Sequence, residues 1–202
     1  KRQVKAPKIY LRDTGLLPFA AALLACLAQW PLVLVMDGSV VGRGCVTLLL
    51  SVVYKRRALP IAWVVIRGRK GHFPEDTHVA LLEQVRALIP AETLVIFLGD
   101  GEFDGTSLQA TLEHWGWLYA CHTAENTILS LASVEFSVKD LPVQPGECFG
   151  ISRLAFTRQA YGPVLVVWWW QAGCKEPLYL VSNMETALQA CTWYAKRFHI
   201  ET

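Results

Sequence analysis

Cys45-Val-Thr-Leu-Leu-Leu-Ser-Val-Val-Tyr54-Lys-Arg-Arg57-Ala-Leu59-Pro-Ile-Ala-Trp-Val-Val-Ile66 holds two apolar runs separated by a short basic segment. Cys45–Tyr54 and Leu59–Ile66 have the length and β-branched content of strands. Lys55-Arg56-Arg57 is too short a connection for anything but an antiparallel hairpin. Upstream, Leu32-Val-Leu-Val-Met36 reads as another buried strand. Downstream, Val79, Leu82, Val85 and Leu88 recur at helical spacing across His78–Ile89, and Asp76 or Thr77 is placed to cap that helix. Thr93–Leu98 then reads as a strand, Thr106–Trp115 as a helix and Trp117–Cys121 as a fifth strand. Three antiparallel strands followed by alternating helix and strand predict an α/β fold, a mixed sheet flanked by helices.

The flanking segments extend this plan. Leu16–Met36 has 21 residues without a charge, enough to cross a bilayer, but Pro18, Gln29 and Pro31 interrupt it. Proline ends helices and biases its predecessor toward extended backbone, so the segment is read as a buried helix over Leu16–Gln29 and a strand after Pro31. Between about Ser133 and Tyr179 helical periodicity gives way to short β-like runs, Cys148–Leu154, Pro163–Gln171 and Pro177–Val181, divided by Pro/Gly turns. A last helix is expected to open at Ser182, with Glu185 completing a capping box. The expected organisation is thus a tail and helix (1–30), a core (31–132), a β-rich insertion (133–181) and a final helix returning to the core (182–202).

Hydrophobic residues make up 53% and charged residues 18%, which is ample for a sizeable core and argues against disorder. A net charge of +2 neither requires nor excludes a nucleic-acid partner, because a local basic surface is averaged away in the total. The six cysteines fall at 26, 45, 121, 148, 174 and 191 without zinc-ligand or C-x-x-C spacing, and are expected to be reduced, mostly buried thiols of a cytosolic protein. No cleavable signal peptide is evident in the basic, polar first dozen residues.

The candidate chemistry rests on carboxylates. Asp37 and Asp100 each follow an apolar, strand-like run, Leu32–Met36 and Leu94–Leu98. At the end, Tyr194, Arg197 and Glu201 stand at i, i+3 and i+7, one face of a continuous helix. Two strand-end aspartates and a helical glutamate are the oxygen ligands that a two-metal phosphoryl-transfer site requires, and the three are expected to converge. The plainer alternative for Asp37-Gly and Asp100-Gly is a turn. Of the neighbouring acids, Glu102 is expected to face away from Asp100, and Asp104 to cap the following helix. Arg197 offers a fork suited to phosphate oxygens, and the Tyr194 hydroxyl can donate to the same backbone. His72 and His78, near Glu75 and Asp76, fit a loop leading into a capped helix better than a metal cluster. Trp168-Trp169-Trp170 is read first as core filling of the insertion. Gly38, Gly42 and Gly44 lack the spacing of a dinucleotide-binding loop.

These residues also carry a family resemblance. From about Pro31 onward the chain resembles the catalytic domain of a bacterial DDE transposase of the insertion-sequence-four group. That group's signature is Tyr, two residues, Arg, three residues, Glu, six residues, Lys; Tyr194, Arg197 and Glu201 match its first three terms, and the lysine term falls beyond Thr202, as in a fragment. Leu-Val-Met-Asp37-Gly-Ser resembles its first acidic motif and Leu-Gly-Asp100-Gly-Glu-Phe-Asp-Gly its second. Arg57-Ala-Leu-Pro-Ile-Ala-Trp63 and Leu178-Tyr-Leu-Val-Ser-Asn183 resemble framework segments.

The resemblance implies a ribonuclease H-like sheet with a β-rich insertion. It assigns catalysis and metal binding to Asp37, Asp100 and Glu201, and contact with transposon-end DNA to Tyr194 and Arg197. It further implies two Mg²⁺ ions (Mn²⁺ as substitute), cut-and-paste transposition on transposon ends and target DNA, and a homodimer on DNA. The place of action would be the bacterial cytoplasm at the nucleoid, with no membrane partner. Related transposases hold a flipped base with an aromatic of this insertion, which is the second reading of the tryptophan run. Two alternatives stand beside the transposase: a nuclease of the same fold that cuts without joining, and a catalytically silent DNA-binding module.

Overall fold

The computed structural model describes residues 8–9, 16–42, 44–68 and 73–199. The chain divides into two compact units, Lys1–Val95 and Ile96–Thr202.

In the first unit, β1 (Lys8–Ile9), α1 (Leu16–Leu27), β2 (Leu32–Gly42), β3 (Cys45–Tyr54), β4 (Arg57–Arg67) and α2 (Glu75–Arg86) follow one another. The strands are antiparallel, in the order β1-β4-β3-β2. Lys55 and Arg56 form the two-residue turn between β3 and β4, both with positive φ (46° and 63°), the left-handed pair that matches the twist of a tight hairpin. The apolar segment divides where proline predicts, α1 ending at Leu27 and β2 beginning at Leu32. Among the described residues no helix is long and apolar enough to cross a membrane.

Two expectations fail in this unit. β2 does not stop at Met36 but runs on to Gly42, so Asp37 lies within a strand opposite Leu49 and is no turn residue. Helix α2 begins before its expected caps: Asp76 and Thr77 lie inside it, and Pro74 holds the cap position without a side-chain bond. The acids Glu75 and Asp76 instead occupy the first turn, where the helix dipole favours negative charge.

The second unit contains β5 (Val95–Gly99), α3 (Thr106–His114), β6 (Leu118–His122), β7 (Ile128–Leu131), β8 (Val134–Ser137), β9 (Cys148–Phe156), β10 (Tyr161–Trp169), β11 (Leu178–Ser182) and α4 (Ala187–Tyr194). Its sheet order is β5-β6-β11-β10-β9-β7-β8; β5 and β6 are parallel and the other pairs antiparallel. Trp168 is fully buried, stacks on Phe149 at 5.3 Å and donates its indole N–H to the Val138 carbonyl. Core filling therefore describes Trp168. Trp169 and Trp170 are only half-buried. Sequence periodicity missed β7 and β8, each four residues long, and the 3₁₀ turn Val138–Asp140 capped by Ser137 and Asp140.

The capping box expected at Ser182 is absent. Ser182 ends β11, fully buried, and its hydroxyl donates to the Tyr119 carbonyl at 2.6 Å while accepting from the Met184 amide. Thr186 caps α4 instead, accepting from the Gln189 amide. Next to Ser182, the Asn183 side chain accepts from the Tyr119 amide (2.8 Å) and donates to the Trp117 carbonyl (2.9 Å). It thereby imitates one more rung of the β6–β11 ladder, whose last backbone pair is Ser182 with Ala120. An orphaned backbone donor and acceptor at a sheet end are costly. Asn183→Ala is accordingly expected to destabilise the fold by about 1–3 kcal/mol, read as a lower urea midpoint at unchanged m. A midpoint equal to that of the parent protein would mean that water replaces the amide at no cost.

Candidate functional site

Asp100 follows β5 directly, at the carboxyl end of a strand paired in parallel with β6. Its carboxylate turns back on its own loop: Oδ1 accepts from the Glu102 amide at 3.0 Å, and the Asp100 carbonyl accepts from the Phe103 amide at 3.0 Å. This is the aspartate-mimicked turn that short acidic side chains favour. Glu102 therefore lies in a turn, and the strand alternation expected of it does not apply.

The glycines beside Asp100 stand in close quarters, Gly99 prohibitively so and Gly101 tightly. A Cβ at Gly99 would meet the Phe103 Cβ at 2.6 Å and the Cys121 sulfur at 3.2 Å. One at Gly101 would meet His122 Nδ1 at 3.2 Å. The loop is drawn tightly over the end of β6: a side chain at Gly99 would force the loop to shift, and one at Gly101 would press on the His122 ring.

Further bonds tie the loop down. Asp104 does not cap α3, whose cap position is Gly105 without a side-chain bond. Its carboxylate accepts from the Thr123 hydroxyl at 2.7 Å, and Thr123 shares a second bond with Thr127 at 2.9 Å. The Asp104 carbonyl accepts from the Gln109 amide group, which in turn accepts from the Tyr119 hydroxyl at 3.2 Å. These partners give Asp104 a structural place.

The opposite charge comes from the end of the chain. Arg197 donates to Asp100 Oδ2 at 3.2 Å, with the two side chains 12% and 29% exposed. The route differs from the continuous helix expected from the spacing. Helix α4 ends at Tyr194, the Lys196 amide bonds back only three residues to Trp193, and Arg197–His199 forms a 3₁₀ turn. Such tightening satisfies the last carbonyls of a helix. Phe198 fixes the turn by packing edge-on against Tyr194 at 5.8 Å and beside Trp169 at 6.3 Å. Tyr194 itself is 2% exposed, on the face of α4 that also buries Ala190 and Cys191.

Of the sequence-predicted residues, then, Asp100 and Arg197 are brought together. Asp37 belongs to the other compact unit, where Ser39 donates to its Oδ2 at 2.9 Å. Glu201 and His72 lie outside the described residues. Among the described residues no cluster of three or more His, Cys, Asp or Glu side chains stands ready to hold a metal.

His122 was not singled out from the sequence. It occupies the place after the body of β6 that Asp100 occupies after β5, since Gly99 pairs with Cys121. Residues at the carboxyl ends of neighbouring parallel strands gather at one edge, and that signal would have found it. Burial holds His122 below the ordinary histidine range; the Asp100 carboxylate pulls it up and the Arg197 charge pushes it down. Burial likewise raises the Cys121 thiol, and the Asp104 charge adds to the effect.

No family profile matches the sequence, and no curated protein sequence matches it. Solved structures do resemble it. The piggyBac transposase, seen by cryo-electron microscopy in a synaptic complex with hairpin DNA, aligns with a TM-score of 0.52 at 13% identity over 91% of this chain. This chain spans 42% of that transposase chain. The catalytic domain of human endonuclease V aligns at 0.43 with 15% identity, over 92% of this chain and 89% of its own. A second structure of human endonuclease V aligns at 0.42 with 15% identity, over 93% and 92%. At 13% identity the likeness to the transposase is one of fold: a mixed α/β sheet with flanking helices.

Gly99→Ala is expected to destabilise the protein by about 1–3 kcal/mol, the usual cost of overpacking, because its nearest obstacle is the first side-chain carbon of Phe103. Chemical denaturation measures this. Stability equal to that of the parent would show that the loop yields freely and that Asp100 is not rigidly set.

Proposed function

We propose that this chain is the catalytic core of a DNA transposase of ribonuclease H-like fold, related to the insertion-sequence-four group, which cleaves a DNA strand at an element's end and joins the 3′-hydroxyl to target DNA. The observation that carries this reading is Asp100. It stands at the carboxyl end of a parallel strand, after a glycine that no larger residue could replace without a shift and before a tightly packed one, and is met by an arginine from the last turn. The fold likeness to a transposase structure that contains hairpin DNA supports the same reading.

Hard divalent cations fit the donor chemistry. Carboxylate oxygens are the ligands Mg²⁺ prefers, and each Asp100 oxygen keeps lone-pair capacity beyond the bond it accepts from Glu102 or Arg197. Asp37, Asp100 and Glu201 would hold two Mg²⁺ ions, with Mn²⁺ as substitute. When bound, such ions supply an activated water or 3′-hydroxyl and stabilise the leaving oxygen.

The remaining work falls to the chain itself. The Asp100 turn fixes the direction of one carboxylate. Arg197 balances its charge in the absence of substrate and has the planar fork to bind a DNA phosphate. Tyr194, from beneath, supports Phe198 and so the turn that presents Arg197. Transposon ends and target DNA are the proposed partners, engaged by a homodimer in the bacterial cytoplasm.

In the full-length protein, Asp37→Asn, Asp100→Asn and Glu201→Gln are each expected to abolish cleavage and joining of a labelled transposon end while largely sparing DNA binding, since affinity comes mostly from phosphate contacts elsewhere. Near-normal joining by any of the three would remove that residue from the site. Cleavage without joining of a pre-cut end would identify a nuclease instead, and binding without cleavage under any divalent metal a silent module.

Arg197→Ala should act on binding. Loss of one phosphate contact lowers the magnitude of the log–log salt slope by about 0.9 on duplex DNA. An unchanged slope on cognate ends would confine Arg197 to its pairing with Asp100.

A further inference from the structure

Gly150 and Ala187 set two elements of the second unit unusually close. A Cβ at Gly150 would stand 3.0 Å from the Ala187 Cβ and 2.9 Å from a Leu165 methyl, so α4 rests on β9 where the strand has no side chain. Cys148 lies two residues before Gly150, on the same face of β9 by the strand's period of two. Cys191 lies four residues after Ala187, on the same face of α4. The close approach at Gly150 therefore continues into a close approach of two thiols. Their sulfurs are 3.4 Å apart, both free.

We propose that Cys148 and Cys191 form a reversible disulfide under peroxide, stapling α4 to β9. A disulfide bond is about 2.05 Å long, so closure asks only for a small approach of sulfurs already in contact. The roles of the two are unequal. Cys148 is exposed and meets the oxidant first; Cys191 is buried, and burial together with the neighbouring Cys148 raises its thiol well above the ordinary range. The Cys148 thiolate attacks one peroxide oxygen, the O–O bond breaks, and hydroxide leaves to become water on protonation. The resulting sulfenic acid is attacked by the Cys191 sulfur, which gives up its proton as the sulfenic hydroxyl departs as a second water. Two thiols are oxidised by two electrons and one hydrogen peroxide is reduced to two waters. Because α4 leads directly into the turn that carries Arg197 to Asp100, the staple fixes the base of that turn. The chemistry does not depend on the transposase reading.

The test treats the purified protein with hydrogen peroxide and counts free thiols, maps linked peptides without reductant, and follows amide exchange. The parent protein is expected to lose two of its six thiols to one intrachain link between the peptides holding Cys148 and Cys191. Dithiothreitol should restore both, and residues 187–194 should exchange more slowly in the oxidised form. Cys148→Ala, a change at an exposed site that spares the core, should show neither the link nor the slowing. Gly150→Ala, which wedges α4 away from β9, should form the link more slowly. Six thiols remaining free would overturn the proposal. So would Cys148 stopping at a sulfinic acid with Cys191 untouched, or a link that persists in Cys148→Ala through exposed Cys26 or Cys174.

Discussion

The second unit depends on a side-chain clamp at the end of β11. Ser182 and Asn183 bind the backbone of residues 117–119 through three hydrogen bonds, to the Tyr119 carbonyl, the Tyr119 amide and the Trp117 carbonyl. More than fifty residues separate these partners, and the whole excursion through β7, β8, β9 and β10 lies between them. Closing a loop of that length is an entropic debt that grows slowly with length but must be met by contacts at its base. The clamp meets it with a buried hydroxyl and a half-buried amide, whose loss leaves backbone partners unpaired. α4 follows at once, so the clamp also sets where the last helix begins and, through it, where Arg197 arrives.

The Asp100 loop works by exclusion as much as attraction. Gly99 lets the chain pass Phe103 at a distance no Cβ would tolerate, and Gly101 lets it pass close to His122. The carboxylate is then aimed by the Glu102 amide and charge-balanced by Arg197. His122, kept toward its neutral form by burial, adds a polar ring to the same edge without adding a second positive charge at neutral pH. Position and charge of this carboxylate are thus set by the fold itself.

Much of this was legible from local pattern. The hairpin at Lys55-Arg56, the division at Pro31, and Asp100 at a strand end all follow from rules that act over a few residues. What misled was local pattern with a distant answer. Ser182-x-x-Glu185 fits a capping box, yet the Ser182 hydroxyl is required by Tyr119, so the helix starts later, at Thr186. Asp37-Gly38 fits a turn, yet cross-strand pairing with β3 carries β2 through it. Asp104 fits a cap, yet Thr123 holds its carboxylate. The spacing of Tyr194 and Arg197 fits one helical face, yet Phe198 and the pairing with Asp100 favour a tighter last turn. β7 and β8 escaped because four residues are too few to display a period.

β8 is the outermost strand of its sheet, and its far edge has backbone groups without a neighbouring strand among the described residues. Val134 is largely exposed there, and an apolar open edge is a template on which a second molecule can pair. Brevity and charge limit the hazard: the strand is four residues long, Glu135 stands in it, and the capped turn at Val138 bends the chain away. A blunt edge of this kind disfavours the fibrous stacking of one copy on the next.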